Sequence, residues 1–280
     1  MTGSYFARTS GDKLAVVAID SSILAAEFSA AGYSVTVIRY VLMLSFLFLG
    51  STTFNAQKAD AWLIVPGHSV GPVTKEISRA RLDLLFGKKN VKDEMVSSGG
   101  DAVPELATAV NEDNPSIALT VFWDDDFSSK RQHPSVNARP TFINVCYGNF
   151  DAPRHCKWHF SSGISIGTHL KELENLNGKS FKLYGFEWDY SGTVSDWNAG
   201  NLADFFGKCG RTLLRLDRLD IGDAASPNER ALYEEVGSDR QFSSDNSAMR
   251  QLNPAIYSIS VEFPKDFSGC SVTKFNSYLR

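Results

Sequence analysis

With 280 residues, 43% of them apolar, and a formal net charge of -4, the chain is long enough for one large or two small cores. The mild acidity leaves no basic footprint for nucleic acid. All four cysteines (Cys146, Cys156, Cys209, Cys270) lie in the second half, at spacings that exclude a zinc ribbon or a C-x-x-C redox motif.

Residues 14 to 38 have the pattern strand, helix, strand: Leu14 to Ile19, Ser22 to Ala31, Ser34 to Ile38. The words Ala-Ala-Gly-Tyr-Ser-Val-Thr-Val-Ile look like a dinucleotide-binding unit, but the glycine-rich turn that holds a pyrophosphate is missing. No cofactor is expected. Residues 41 to 50, Val-Leu-Met-Leu-Ser-Phe-Leu-Phe-Leu-Gly, form the most apolar run. A membrane span needs about 20 such residues, so this run has the length of a secretory h-region instead. Arg39 precedes it, and cleavage is expected near Ala56-Gln57 or after Ala59-Asp60-Ala61. Residues 37–61 are therefore expected to be a signal peptide and residues 1–36 an over-extended start. The product would be periplasmic or secreted, with no transmembrane segment after processing. No cysteine ends the apolar run, so no lipid anchor is expected.

Trp62 to Val65 is a short strand ended by Pro66 and Gly67. The pattern Gly67-His68-Ser69-Val70-Gly71 returns as Gly163-Ile164-Ser165-Ile166-Gly167, ninety-six residues later (Gly67 to Gly163). After the first copy, Ser78 can cap a helix over Arg79 to Phe86, with Leu82, Leu85 and Phe86 at helical spacing and Gly87 as its stop. Residues 92 to 115 have the polar composition of a loop. Strands are expected at Ile117 to Trp123, Thr141 to Tyr147 and Lys157 to Ser161, with a long turn from Asp124 to Pro140. After the second copy, Thr168 and Glu172 open a helix with the stripe Leu170, Leu173, Leu176, stopped by Asn177-Gly178. Phe181 to Trp188 alternates, placing Tyr184, Phe186 and Trp188 on one face; Thr193 to Trp197 returns. Thr212 to Leu219 and Ile256 to Phe263 are further strands, separated by a polar excursion with a helix at Glu229 to Val236. The fold class is α+β: two tandem helix-plus-antiparallel-sheet units, 62–160 and 161–280. The connections between strands are mostly too short for parallel crossovers.

The phrase Gly-x-Ser-x-Gly, a capped helix with a leucine stripe, then an antiparallel meander resembles the small helix–meander domain of SmpA/OmlA-type outer-membrane assembly lipoproteins. Its tandem arrangement is similar to that of the β-lactamase inhibitor protein. Trp62 to Val91 and Leu183 to Trp197 also look like an uncharacterised family of exported bacterial proteins. The resemblance implies an envelope-associated protein that binds a protein or another envelope component without catalysing a reaction.

The residues offer one enzymatic alternative. Leu63 to Gly71 matches the strand–elbow–helix wording of serine hydrolases, with Ser69 as nucleophile and His133, His155, His159 or His169 as its base. The repeat at Ser165 instead makes both serines turn residues between glycines. His155, Cys156 and His159 have the types of metal ligands, but on a strand the histidines would stand about 13 Å apart. Asp124 to Asp126 lacks the glycine and glutamate of a calcium loop. No metal site is expected. Tyr184, Phe186, Trp188, Tyr190 and Trp197 form the candidate binding surface, since aromatic faces on open sheets suit protein partners and sugars; the alternative is that they are the core face that a helix covers. In an oxidising compartment the four cysteines permit three pairings, of which Cys146 with Cys156 and Cys209 with Cys270 is the expected one; free buried thiols are the alternative.

Overall fold

The structure is a computed structural model that describes residues 5–8, 14–17, 60–96, 104–124, 133–146, 156–207, 212–218 and 225–263. The chain divides into two compact units, Met1–Ala59 and Asp60–Arg280. In the first, β1 (Tyr5–Arg8) and β2 (Leu14–Val17) pair antiparallel, with Tyr5 opposite Val17. The expected helix at 22–31, the apolar run 41–50 and the cleavage sites before Asp60 lie outside the described residues, as do His155, Cys209 and Cys270.

The second unit opens with β3 (Leu63–Val65), β4 (Ser69–Val70) and β5 (Val73–Thr74), each folded back on the last. Helix α1 (Arg79–Phe86) follows, closed by the Gly87 N–H on the Asp83 carbonyl. An antiparallel meander comes next: β6 (Val91–Val96), β7 (Glu105–Val110), β8 (Leu119–Trp123) and β9 (Pro140–Val145). Then β10 (His159–Phe160) leads to α2 (Leu170–Asn177). The remaining elements are β11 (Lys182–Tyr184), β12 (Val194–Asp196), α3 (Asn201–Gly207), β13 (Thr212–Asp217), α4 (Pro227–Val236), β14 (Gln241–Ser243), α5 (Ser247–Leu252) and β15 (Ala255–Glu262).

Helices plus antiparallel sheets make the protein α+β. The two halves do not stand apart as tandem units. One six-stranded sheet, ordered β13-β15-β9-β8-β7-β6, takes β6 to β9 from the first half and β13 and β15 from the second. Ile259 faces Val145 and Val261 faces Ile143 across the junction. The physical reason is edge satisfaction. A four-stranded meander would leave the outer-edge backbone groups of β9 unpaired, and β15 pairs them.

Side chains alternate across this sheet. Leu214, Ile259, Val145, Leu119, Val110 and Val91 form one cross-strand row, and all belong to the core. Leu82 of α1, Leu170 and Leu173 of α2, and Met249 and Leu252 of α5 pack into the same cluster. The next core-facing row ends in Thr108 and Asp93 at the β6 edge. There Arg79 Nε of α1 donates to Asp93 Oδ1 at 2.6 Å, Thr108 donates to the same oxygen, and Trp123 Nε1 donates to Thr108. His133 Nδ1 lies 2.6 Å from Asp93 Oδ2. Burial pushes the Asp93 carboxyl up, but the bonds from Arg79, Thr108 and His133 outweigh it and hold it below the usual range. This network clasps α1 to the sheet edge. An inward-pointing charge on an edge strand also discourages further strand pairing.

Several expectations are corrected. Residues 92 to 115 supply β6 and β7 rather than a loop; their charges, Lys92, Asp93 and Glu94, belong to an edge strand and conceal it from a search for apolar runs. Leu82 is buried, but Leu85 is 38% exposed; likewise Leu170 and Leu173 are buried and Leu176 is 38% exposed. An eight-residue helix touches the core with one narrow stripe, so its third leucine rotates to the rim. The residue before α2 is His169, not Thr168, and its backbone N–H donates to Glu172.

The repeat survives locally. Gly67, Gly71, Gly163 and Gly167 all have left-handed φ, from 54° to 90°. Strands β3 and β10 pair in parallel, Leu63 with His159 and Ile64 with Phe160. Those partners are separated by the same ninety-six residues as the two motifs. Apart from this two-residue contact, every pairing among the described strands is antiparallel.

Candidate functional site

Ser69 is not at an elbow. A nucleophile elbow turns from the end of a strand directly into a helix. Here Val65 turns back through Pro66 and Gly67, and Ser69 starts β4, opposite Val65 on one side and Thr74 on the other. Ser69 is buried, and the next helix begins only at Arg79. In the first copy the flanking glycines serve two successive tight reversals, and the second copy also turns before its helix begins at Leu170.

The other reactive types are engaged elsewhere. Cys156 is bonded to Cys146, as expected for that pair, so it offers no thiolate to a metal. His159 holds Lys157 O through Nδ1 and Asp60 Oδ2 through Nε2. His169 Nδ1 contacts Asn253 O. Among the described residues no group of three or more histidines, cysteines or carboxylates is placed to hold a metal. A cleft of about 510 Å³ opens where β9 begins and β15 ends, lined by Lys75, Glu76, Asp124, Arg139, Phe142 and Phe263 among others. Lys75 Nζ lies 3.7 Å from Glu76 Oε1, the Arg139 backbone N–H donates to Asp124 Oδ1, and Arg139 Nη1 donates to Ala138 O.

The five candidate aromatics separate into two groups. The expected strand to Trp188 stops at Tyr184, because the chain bends over Phe186 to Trp188 and Glu187 adopts φ 69°. That break ends the alternation. Phe186 turns inward, fully buried and stacked on Tyr233 at 5.0 Å. Trp197 is half-buried against Phe181 and Phe206. Trp188 and Tyr190 turn outward, 59% and 65% exposed, on the turn between β11 and β12. Tyr184 is half-buried at the foot of this turn, its ring 5.6 Å from that of Tyr190 and tilted by 34°.

This turn is anchored from three directions. The Ser191 N–H closes on Trp188 O at 2.7 Å and the Thr193 N–H on Tyr190 O at 2.9 Å. Below it, Gly185 and Phe186 donate to Arg240 O and Val236 O, while Gly192 accepts from the Leu216 N–H. Arg215 Nη2 donates to Asp189 O at 2.7 Å. Gly192 presses so close to β13 that an added Cβ would lie 1.7 Å from Leu216 O.

Beneath the turn lies a polar pair that sequence reasoning missed. Tyr233 donates to Asp217 Oδ1 at 2.8 Å, and the Arg218 N–H donates to the same oxygen. Burial pushes the Asp217 carboxyl up, more than these bonds pull it down, and the nearby Glu187 charge adds to the rise. Burial and the Asp217 charge push the Tyr233 phenol up as well. The exposed Glu187 carboxylate raises both groups further.

Comparison with known protein families, curated proteins and solved structures finds no match.

Proposed function

We propose that the protein is an exported, non-enzymatic binding protein whose contact surface is the Glu187–Tyr190 turn with Tyr184 at its foot. The observation that carries this reading is the exposure of Trp188 and Tyr190 on a turn fixed by backbone bonds. Burying the exposed part of these two rings would recover several kcal/mol at roughly 25 cal/mol per Å². The fold anchors the turn and leaves both rings in water. Exposed aromatics held on one anchored turn are features of interaction sites.

Export is supported by the signal-like run 41–50 and by the Cys146–Cys156 bond, which persists in oxidising compartments. The partner is then an envelope component, in keeping with the resemblance to outer-membrane assembly lipoproteins. Among the described residues no helix is long and apolar enough to cross a membrane.

Hydroxyl-radical footprinting tests the surface. On intact cells of the source organism, Trp188 and Tyr190 should oxidise at least threefold more slowly than in purified protein, while exposed Val136 and Leu84 keep their rates. Equal rates at all four positions would remove the binding reading. Export has its own readout: the processed N-terminus should fall between Ala56 and Trp62, and a protein beginning at Met1 would sink it.

A further inference from the structure

The size and charge of this surface assign its occupant, and the assignment rests on the reading above. We infer that the Trp188–Tyr190 turn binds a neutral oligosaccharide.

Three observations converge. The first is area. At 59% and 65% exposure, Trp188 and Tyr190 together offer roughly 250–300 Å² of ring surface. A stable protein–protein contact needs about 800 Å² on each partner. The patch is about one third of that, and one or two pyranose rings cover it. A pyranose presents a flat C–H face to the electron-rich face of an aromatic ring, which is the complement an exposed indole and phenol supply.

The second is charge. Glu187 and Asp189 flank Trp188, and both are exposed. Exposed carboxylates accept hydrogen bonds from sugar hydroxyls. They repel uronates, phosphates and acidic surfaces over the same few ångströms. The nearby Arg215 guanidinium donates to Asp189 O and keeps its positive charge, so the two carboxylates outnumber it and leave the rim net negative. The rim therefore selects against an anionic glycan.

The third is preorganisation. Weak stacking on a mobile loop is offset by the cost of ordering it. Here the turn is closed by its own backbone bonds and seated on β13 through Gly192. Tyr184 and Tyr190 already share one surface, 5.6 Å apart. Binding orders little that is not already ordered.

The test uses the purified full chain and NMR of its five tryptophan indole N–H signals, with Trp188→Phe identifying the Trp188 signal. Cellohexaose and chitohexaose are the neutral probes, and hexagalacturonate is the anionic one. At least one neutral hexamer should shift the Trp188 signal to saturation. Trp188→Ala and Tyr190→Ala, read by calorimetry, should each weaken that binding tenfold or more, with the remaining indole signals unmoved to show an intact fold. Hexagalacturonate should bind at least tenfold more weakly, and the gap should narrow in the Glu187→Gln/Asp189→Asn double variant. If no neutral hexamer moves Trp188 while footprinting shows the turn covered on cells, the occupant is a protein and the saccharide is wrong. Loss of both the shift and the protection overturns the binding surface itself. Hexagalacturonate binding as tightly as the neutral hexamers would also overturn the proposal.

Discussion

Glycines and carboxylates carry the residue-scale logic. Gly163 and Gly192 both hold left-handed φ, yet their surroundings differ. An added Cβ at Gly163 meets nothing within 4 Å, whereas at Gly192 it meets Leu216 O at 1.7 Å. Gly163→Ala should therefore cost about 1 kcal/mol of backbone strain. Gly192→Ala should cost about 3 kcal/mol or more, because β13 must shift. Urea denaturation measures both, and equal losses would contradict the packing around Gly192. Asp217 makes a pH prediction. Its folded-state proton affinity is raised, by burial first, so the native state holds the proton more tightly than the unfolded chain. Stability is then full below the unfolded carboxyl range and falls as pH rises through the folded value. Asp217→Asn removes that loss. Its urea midpoint should match the wild type near pH 4 and exceed it at pH 7; a lower midpoint at pH 7 would reverse the sign and refute the burial argument.

Among the elements, helix α2 shows how much a stripe can promise. Leu170, Leu173 and Leu176 repeat every three residues, but a helix turns every 3.6, so the third drifts off the buried face. Leu173 is fully buried and Leu176 is 38% exposed. Leu173→Ala should cost about 3 kcal/mol, as a core truncation does. Leu176→Ala should cost less than about 1 kcal/mol. The ratio of the two, taken from urea midpoints at constant slope, reports the rotation of the helix on the core. Strand β11 teaches the converse lesson. Alternation from Phe181 to Trp188 was legible, but one left-handed residue, Glu187, ended it and sent Phe186 and Trp188 to opposite environments.

At the scale of the whole molecule, the shared sheet decides what can fold alone. Segment 60–160 contains β3 to β10 and the Cys146–Cys156 bond, but it lacks β15. Without β15 the β9 edge is unpaired, and Ile143 and Val145 lose Val261 and Ile259. Expressed by itself, this segment should show no cooperative urea transition. A sharp transition would restore two independent units. The Cys146–Cys156 loop adds about 2–3 kcal/mol by restricting the unfolded chain, which is too little to replace a core-facing strand pair.

Local chemistry explains what was readable in the chain. The strands around Ile117, Thr141, Thr212 and Ile256, the helices after Ser78 and near Glu229, the tight reversals at Gly-x-Ser-x-Gly and the pairing of Cys146 with Cys156 all follow from propensity, caps, glycine freedom and close spacing. These interactions act within a few residues, so composition and order suffice to express them. Three decisions required the tertiary structure. Pairing β15 with β9 depends on which edges remain open after collapse. The placement of charged β6 in the sheet depends on its being an edge. The division of the five aromatics between core and surface depends on Glu187 and on where Gly192 meets β13. Each is set by contacts between segments distant in the chain, and no local pattern encodes them.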